Sequence, residues 1–420
     1  MVLSRYYELL KEYIEFNTIQ DSKSFSKEAE LTMKWLNNLL KKQNFDIQEY
    51  SVDDCPILIA KQIQNQNLPT CLIYTNYDLE LQEISPEWKN NPFHLYLGKD
   101  EVIGRGVAEN KGQFIIYLAS ILELIEQNKL GYNIIFLIDG TQNKVGANLT
   151  EFLKKHQPSL ASDFCLFGFG EGVGESPTLE IGQRGGINFD IIFSKEDEKL
   201  RELNPNLEMI KMLNKLYNMN NKIAIPYFYY NVEKTQPELK EIRRYGTNLE
   251  YRTISVPNTG GNINLEPTLE ITGLISLPKF EKTKSIPKTT SANLHMKIVN
   301  RQNYQEIING LQQRLKYSIP QNLKTQLIIH EAYNPCKYNI NNAYTQKATT
   351  LLSSALHAPL QHKQNPIGIK AAEAIQNHIC PNIISLPLAT EGSNIGIANE
   401  HLTTERIKKL FDFCLTFFSS

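Results

Sequence analysis

The sequences CLIYTNYDL at residues 71–79 and GRGVAENKG at residues 104–112 decide the fold of this chain. Residues 71–74 form an apolar run and predict a strand that ends in the polar sequence TNYD. The second sequence leads into residues 113–127, whose apolar composition predicts a helix. A strand, a polar loop and a helix in this order predict an α/β layer.

The same alternation continues on both sides of that stretch and predicts one mostly parallel sheet. The predicted strands are residues 57–60, 70–75, 132–138, 164–167 and 383–388. The predicted helices are residues 3–17, 26–42, 113–127, 147–156, 343–356 and 404–418.

After the sequence GQRGG at residues 182–186 the pattern changes to that of an α+β unit. The predicted strands there are residues 188–193, 269–274, 292–299 and 325–329, and the predicted helices are residues 207–217 and 304–317. Residues 222–264 have weak periodicity and predict long loops or irregular strands. The sequence therefore predicts an α/β domain of residues 1–186 and 333–420, interrupted by a smaller α+β domain of residues 187–332.

The composition excludes several classes of protein. With 420 residues, 41% hydrophobic and 21% charged, the chain has enough apolar side chains for two or three domains. Its 44 Lys and Arg residues nearly balance its 45 Asp and Glu residues, so a net charge of -1 disfavours nucleic acid or anionic lipid as partners. Six cysteines without a CxxC pair predict reduced thiols. No signal-peptide pattern and no apolar run of about 18 residues occurs, so we expect a cytoplasmic protein without a membrane partner.

The two opening motifs together resemble the zinc-dependent exopeptidase family of carnosinase, aminoacylase, the glutamate carboxypeptidases and succinyl-diaminopimelate desuccinylase. In that family the first motif reads GHxDV and the second reads GRGxxDxKG. The resemblance covers nearly the whole chain and implies an α/β catalytic domain interrupted by a lid and dimerisation domain. It also implies that carboxylates and imidazoles hold two zinc ions, while a Glu takes a proton from a metal-bound water.

In the first two motifs the chain departs from the family at two metal positions. Asn76 stands where the family has its first His ligand, and an amide is a poor zinc ligand. Asp78 matches the Asp that orients that His. Here it either keeps that position with no imidazole to orient, or it is a turn carboxylate that caps backbone amides. Glu109 replaces the Asp that bridges the metals; it can bind one metal but is one methylene too long to bridge two well. Lys111 and Gly112 match the family, and Gly112 predicts close backbone packing at a helix start.

The family's third motif, EGxEExG, supplies the general base and a further metal ligand. The corresponding sequence here is DGTQNKVG at residues 139–146. One register places Gln142 at the base and Asn143 at the ligand, and the other places Asn143 and Lys144 there. Neither register supplies a carboxylate, so the sequence predicts that water activation is lost.

The two remaining ligand positions also lack metal-binding side chains. Spacing places Gly168 or Phe169 at the fourth ligand, and the nearest carboxylate is Glu171. The last ligand, a His shortly before Asn-Glu in the family, corresponds to Gly396. His401 is five residues farther on and is predicted to be a surface or helix-entry residue.

The inserted domain lacks the substrate-binding residues that the resemblance implies. No His occurs between His156 and His295, so the family's HSG segment is missing. Lys297 occupies the position of an Arg that grips the substrate carboxylate, which replaces a bidentate fork with a point charge. The family's GGSxP turn is unrecognisable in NPIGIK at residues 365–370.

Three functional hypotheses follow. The first is a catalytically inactive homologue that needs no cofactor and acts by binding a small ligand, a protein partner or an active homologous subunit, with a homodimer through the inserted domain. The second is an active metallopeptidase or amidohydrolase that cleaves dipeptides or N-acyl amino acids with a single or relocated zinc site. Its candidate ligands are Asp78, Glu109, Asp163, Glu171 and His378. The third is a scaffold in which PYFYYN at residues 226–231 forms a contact surface, unless that segment is a core or sheet-edge strand.

Overall fold

The computed structural model describes residues 2–81, 85–144, 149–195, 203–233, 267–277, 286–318, 323–366 and 368–419. The chain forms two compact units. The first unit contains residues 1–181, 338–363 and 369–420, and the second contains residues 182–337 and 364–368. These limits differ by a few residues from the predicted ones, and no sequence signal indicated that residues 364–368 belong to the second unit.

The described residues form the following helices and strands. The helices are α1 (Val2–Glu15), α2 (Phe25–Lys41), α3 (Lys111–Glu126), α4 (Leu149–Leu160), α5 (Pro205–Lys215), α6 (Tyr230–Glu233), α7 (Tyr304–Ser318), α8 (Ala343–Leu356), α9 (Lys370–His378) and α10 (Thr404–Phe418). The strands are β1 (Asp46–Val52), β2 (Cys55–Gln62), β3 (Thr70–Asn76), β4 (Tyr96–Leu97), β5 (Glu101–Ile103), β6 (Asn133–Asp139), β7 (Phe164–Phe167), β8 (Thr178–Gln183), β9 (Gly185–Lys195), β10 (Thr268–Leu277), β11 (Thr289–Ile298), β12 (Leu323–Tyr333), β13 (Cys336–Lys337), β14 (Gln361–Asn365), β15 (Ile383–Ser385) and β16 (His401–Thr403).

The large sheet of the first unit has the strand order β1-β2-β6-β3-β7-β15-β8. Its central strands β6, β3, β7 and β15 run parallel, whereas β1, β2 and β8 pair antiparallel with their neighbours. Every residue of β6 is buried, as expected of a strand that is covered on both faces. The predicted α/β class is confirmed, with the parallel pairs at the centre of the sheet.

Helix α3 lies in the core of the first unit and packs against other helices and against the sheet that carries the site. It contacts both α1 and α10, and it is buried around most of its circumference because most of its residues are apolar. The ring of Phe114 lies edge-on to Tyr13 of α1 and to Phe136 of β6, with centroids 6.1 Å and 5.6 Å away. No helix among the described residues, α3 included, is both long and apolar enough to cross a membrane.

A small three-stranded sheet in the first unit, with the order β16-β5-β4, brings two loops together. β16 pairs antiparallel with β5, so that His401 lies opposite Ile103. Residues 104–110, which follow β5, and residues 394–400, which precede β16, therefore lie side by side.

The second unit contains an antiparallel sheet with the order β10-β11-β9-β12. Residues of β11 alternate between buried and half-buried, and the buried side packs against α5 and α7. All four predicted strands and both predicted helices are present in this unit.

The tyrosine-rich sequence at residues 226–231 does not form a strand, so that interpretation is wrong. It forms turns that lead into α6, with Phe228 buried and Tyr227 and Tyr230 exposed. Part of the predicted loop region, residues 234–264, lies outside the described residues.

Candidate functional site

Two buried aspartates lie at the ends of neighbouring parallel strands in the first unit. Asn76 at the end of β3 is in register with Asp139 at the end of β6, and Asp78 follows two residues after Asn76. Both aspartates are 0% exposed. Because parallel strands end at the same edge of a sheet, the two acids lie in one compartment at that edge.

Amide groups from three asparagines surround Asp78. Nδ2 of Asn76 donates to the carbonyl oxygen of Asp78 at 3.0 Å and to its Oδ1 at 3.1 Å. Nδ2 of Asn110 and Nδ2 of Asn143 donate to the same carbonyl oxygen at 3.2 Å and 3.1 Å. The backbone N–H of Asn143 donates to Oδ2 of Asp78 at 2.6 Å. Burial and the neighbouring Asp139 raise the pKa of Asp78 to about 7, although these hydrogen bonds lower it.

Asp139 accepts hydrogen bonds from its own strand end and from β3. Oη of Tyr74 donates to its Oδ2 at 2.8 Å, Oγ1 of Thr141 to the same oxygen at 3.1 Å, and the N–H of Thr141 to Oδ1 at 2.8 Å. Burial raises the pKa of Asp139, and the hydrogen bonds lower it. The following turn leaves no room for a side chain at Gly140, where a Cβ would lie 2.1 Å from Oη of Tyr77.

A second group of charges joins the GRG loop to the loop before β16. Glu400 is fully buried, and its Oε2 accepts hydrogen bonds from Nη1 of Arg105 and from the N–H of Gly106, both at 3.0 Å. Its Oε1 accepts from the N–H groups of Ala108 and Glu109, both at 2.8 Å. Nη1 of Arg105 also donates to Oε2 of Glu109 at 2.7 Å. Burial raises the pKa of Glu109 to about 7, although Arg105 lowers it.

Residues 141–144, the segment predicted to have lost the general base, are held by Lys370 at the start of α9. Nζ of Lys370 donates to the carbonyl oxygen of Lys144 at 2.8 Å and to that of Thr141 at 3.5 Å. Its backbone N–H donates to Oε1 of Gln142 at 3.3 Å. The ammonium group of Lys144 donates to the carbonyl oxygen of Asp53 in the β1–β2 turn. Lys370 therefore supplies a positive charge that acts on the two aspartates of the compartment.

The residues predicted at the fourth ligand position are enclosed by packing. Gly168 follows β7, and a Cβ there would lie 2.1 Å from Cε2 of Tyr117. The ring of Phe169 is buried. The carbonyl oxygen of Glu171 accepts a hydrogen bond from Nζ of Lys363 at 2.7 Å, and burial raises the pKa of the Glu171 carboxyl.

The residue predicted at the last ligand position lies in a tight turn. Gly396 has a φ of +77°, and the neighbouring Asn394 and Asn399 have φ values of +54° and +59°. These left-handed conformations suit Gly and Asn. His401 lies in β16, where its Nδ1 is 3.0 Å from the carbonyl oxygen of Asn399. The imidazole is therefore engaged within its own loop, and the helix α10 begins only at Thr404.

In the second unit, Lys297 lies on the side of β11 that faces away from the helices. It is in register with Gly186 of β9 and Thr268 of β10. Two residues earlier, Nδ1 of His295 shares a hydrogen bond with Oδ1 of Asn188, and burial lowers the pKa of His295. The role of Lys297 toward a carboxylate stays a prediction.

Comparisons with known proteins connect this geometry to a family. No protein-family model matches the chain. The chain is 24% identical over 444 residues to the probable di- and tripeptidase DUG2 of Saccharomyces cerevisiae, an alignment that covers 96% of this chain and 50% of that protein. It is 28% identical over 225 residues to succinyl-diaminopimelate desuccinylase of Orientia tsutsugamushi, covering 50% of this chain and 55% of the relative. The alignments thus span about half the length of these curated relatives.

Solved structures show the same fold. The metallo-carboxypeptidase Sso-CP2 of Sulfolobus solfataricus, an M20 family protein, matches with a TM-score of 0.83 at 19% identity over 98% of both chains. The di-peptidase Dug1p of Saccharomyces cerevisiae matches with a TM-score of 0.84 at 15% identity, over 99% of this chain and 95% of that one. The chain thus resembles members of the zinc-dependent exopeptidase family in sequence and shares the fold of the solved metallopeptidases.

The zinc-exopeptidase fold is kept, but the residues that the sequence motifs predict at its metal positions do not have the chemistry of zinc ligands. In the described part of the chain, no group of three or more His, Cys, Asp and Glu side chains is arranged to hold a metal ion. The amide nitrogens of Asn76 and Asn143 donate hydrogen bonds to Asp78, and a donor N–H offers no lone pair to a metal. Gly168 and Gly396 have no side chain to contribute.

Two of the carboxylate and imidazole candidates for a relocated zinc-exopeptidase site lie elsewhere. Oδ2 of Asp163 accepts the N–H of Thr70 at the start of β3, about 20 Å along the strand from Asn76 at its end. His378 is the last residue of α9, about 12 Å along the helix from Lys370. Asp163 and Asp78 therefore do not share a site, and the prediction that combined them is wrong.

Sequence reasoning missed three members of this compartment in the zinc-exopeptidase fold: Asp139, Asn110 and Lys370. Asp139 had a usable signal, because it directly follows the predicted strand 132–138; the structure pairs that strand with the one that ends at Asn76. Asn110 caps the N-terminus of α3, where its side chain accepts the N–H of Lys111, and an Asn before an apolar helix is a recognised cap. Lys370 contacts a carbonyl 226 residues away, for which a single sequence has no local signal.

Proposed function

We propose that this chain is a catalytically inactive, metal-free homologue of the dinuclear zinc dipeptidases and aminoacylases, and that it acts by binding a small ligand or a protein partner. The observation that carries the proposal is the set of asparagine amides around Asp78. In a zinc site of this family the oxygens of the matching Asp orient an imidazole ligand. In this chain the same oxygens accept hydrogen bonds from Asn76 and Asn143.

Water activation also lacks its parts. A general base needs a basic lone pair near neutral pH, and the amides Gln142 and Asn143 at the base position have none. The buried carboxylate of Asp78 has a suitable pKa, about 7, but its two oxygens are occupied by the amide donors. According to the proposal, the site therefore has neither a metal ion nor a general base.

A second candidate function is an active single-metal peptidase, and one observation favours it. The carboxylate of Glu109 is 21% exposed and has a pKa of about 7, so it can reach a ligand or a proton. Relatives of the chain are named as di- and tripeptidase and as desuccinylase, which are hydrolytic activities.

One experiment separates the two candidates. The purified chain is analysed for zinc and assayed for hydrolysis of dipeptides and N-acyl amino acids, with Glu109→Ala prepared in parallel. We expect no bound zinc and no turnover. Stoichiometric zinc with hydrolysis that Glu109→Ala abolishes would establish the single-metal peptidase. Hydrolysis that is equal in both preparations comes from a contaminant.

The homodimer through the second unit that the resemblance implies remains part of the proposal, together with a cytoplasmic location. Tyr227 and Tyr230 are 83% and 60% exposed in the described part of that unit. Replacement of both by Ser tests the dimer contact, because their removal deletes apolar surface without touching the core. Light scattering should give twice the chain mass for the unaltered protein and a smaller mass for the double variant; an unchanged mass removes these residues from the contact.

A further inference from the structure

Lys370 holds the segment that carries the family's base position. Its Nζ donates to the carbonyl oxygens of Thr141 and Lys144, which stand at the two ends of residues 141–144. Its backbone N–H reaches the side chain of Gln142 in the same segment. One residue at the start of α9 thus contacts three of the four residues of a segment more than 220 residues earlier in the chain.

Asp78, which precedes the segment in the sequence, also forms hydrogen bonds with it. Its Oδ2 accepts the N–H of Asn143 at 2.6 Å, and its carbonyl oxygen accepts Nδ2 of Asn143 at 3.1 Å. The contacts are complementary: Lys370 takes the carbonyl oxygens of the segment and Asp78 takes its N–H groups. Thr141 also donates twice to Asp139, so both aspartates are bonded to the segment.

The charges of the two aspartates and of Lys370 also favour this arrangement. Two carboxylates in one buried compartment repel each other, and burial penalises their ionised forms. In a zinc site the metal ions offset that cost. Here the ammonium group of Lys370 lowers the pKa of both Asp78 and Asp139, so it offsets part of the cost without a metal.

We infer that Lys370 is the positioning residue of the metal-free compartment. It fixes residues 141–144 against Asp78 and Asp139, in place of the metal ions. This inference rests on the proposed function, because a compartment that held zinc would not need an internal cation. It assigns a role to a residue that lies in the part of the sequence where the family's GGSxP turn is unrecognisable.

The experiment compares Lys370→Met with Lys363→Met. Lys363 is a matched control, because it is also half-buried in the first unit and also donates through Nζ to a loop carbonyl, that of Glu171 at 2.7 Å. Amide hydrogen exchange of residues 141–144 is measured by mass spectrometry in both variants and in the unaltered chain. We expect exchange in this segment to be about tenfold faster in Lys370→Met, since one charged hydrogen-bond donor is lost. Lys363→Met should leave it unchanged.

Two further variants protect the test against misfolding. Lys370→Arg keeps the charge and should restore slow exchange, whereas Lys370→Gln keeps an amide donor without charge and should not. Unchanged exchange in Lys370→Met, or an equal increase in Lys363→Met, would overturn the inference. Zinc in the unaltered chain is a separate outcome, because it overturns the proposed function itself.

Discussion

The replacement Glu400→Gln tests how the fold survives without its metals. The structure offers four donors to the two oxygens of Glu400, which is fully buried. In Gln one of these oxygens becomes an NH₂ group. Whichever way the amide is turned, that NH₂ group faces two donors, either Arg105 and Gly106 or Ala108 and Glu109. The variant therefore loses two hydrogen bonds and half of the neutralisation of Arg105.

The expected loss of stability follows from these bonds. A hydrogen bond to a charged group contributes about 1.5–3 kcal/mol, and breaking a buried ion pair from one side costs about 3–5 kcal/mol. We expect Glu400→Gln to lower the free energy of unfolding of the first unit by about 3–5 kcal/mol. The matched control is Glu109→Gln on the other side of Arg105, where the carboxylate is 21% exposed and the loss should be about 1 kcal/mol.

Urea unfolding followed by tryptophan fluorescence measures both variants. The only two tryptophans, Trp35 and Trp88, lie in the first unit, so the signal reports the unit that contains Glu400. Equal effects of the two variants, or a loss of less than about 1 kcal/mol for Glu400→Gln, would refute the view that buried hydrogen bonds now hold these loops.

Three further predictions concern packing, ligand restoration and pH. Gly112→Ala should lower the free energy of unfolding by about 3 kcal/mol or more, because its Cβ would lie 2.1 Å from the carbonyl oxygen of Val107. The control Gly392→Ala should lower it by less than about 1 kcal/mol, because no atom lies within 4 Å of the added Cβ. Equal losses in the two variants would contradict the packing argument. Asn76→His should bind no zinc by elemental analysis. It should lower the free energy of unfolding by about 1–2 kcal/mol, because two hydrogen bonds to Asp78 are lost. Zinc uptake by this variant would show that one imidazole completes a metal site. Burial raises the pKa of Asp78 to about 7, so the folded chain binds this proton more tightly than the unfolded chain does, and urea midpoints should fall as the pH rises from about 4 to about 7. Asp78→Asn should make that fall shallower, and an unchanged pH profile would refute the raised pKa.

Much of the fold could be predicted because local patterns and packing agree. The strand at residues 164–167 and the helix at residues 404–418 were predicted at the limits that the structure shows. The antiparallel edge strand β1 was not predicted, because its residues alternate only weakly between exposed and half-buried. In the structure β1 is joined to β2 by the two-residue turn Asp53-Asp54, whose φ values of +48° and +64° are those that a two-residue hairpin requires.

The candidate site could be predicted only in part. Motif spacing identified the positions of Asn76, Glu109 and Asn143, because each lies next to a recognisable strand or glycine signal. What these side chains do instead of binding metal could not be predicted, since hydrogen bonds such as the one from Asn143 to Asp78 join residues 65 positions apart. The same limit explains why Asp163 was wrongly grouped with Asp78: both flank β3, but at opposite ends.

Zinc content, measured together with peptidase activity on the same preparation, tests the central claim most directly. The asparagine amides around Asp78 predict a chain that is isolated without zinc, takes up none when zinc is added, and hydrolyses neither dipeptides nor N-acyl amino acids. Stoichiometric zinc accompanied by turnover would contradict the account, because it would require a metal site that the described residues do not form.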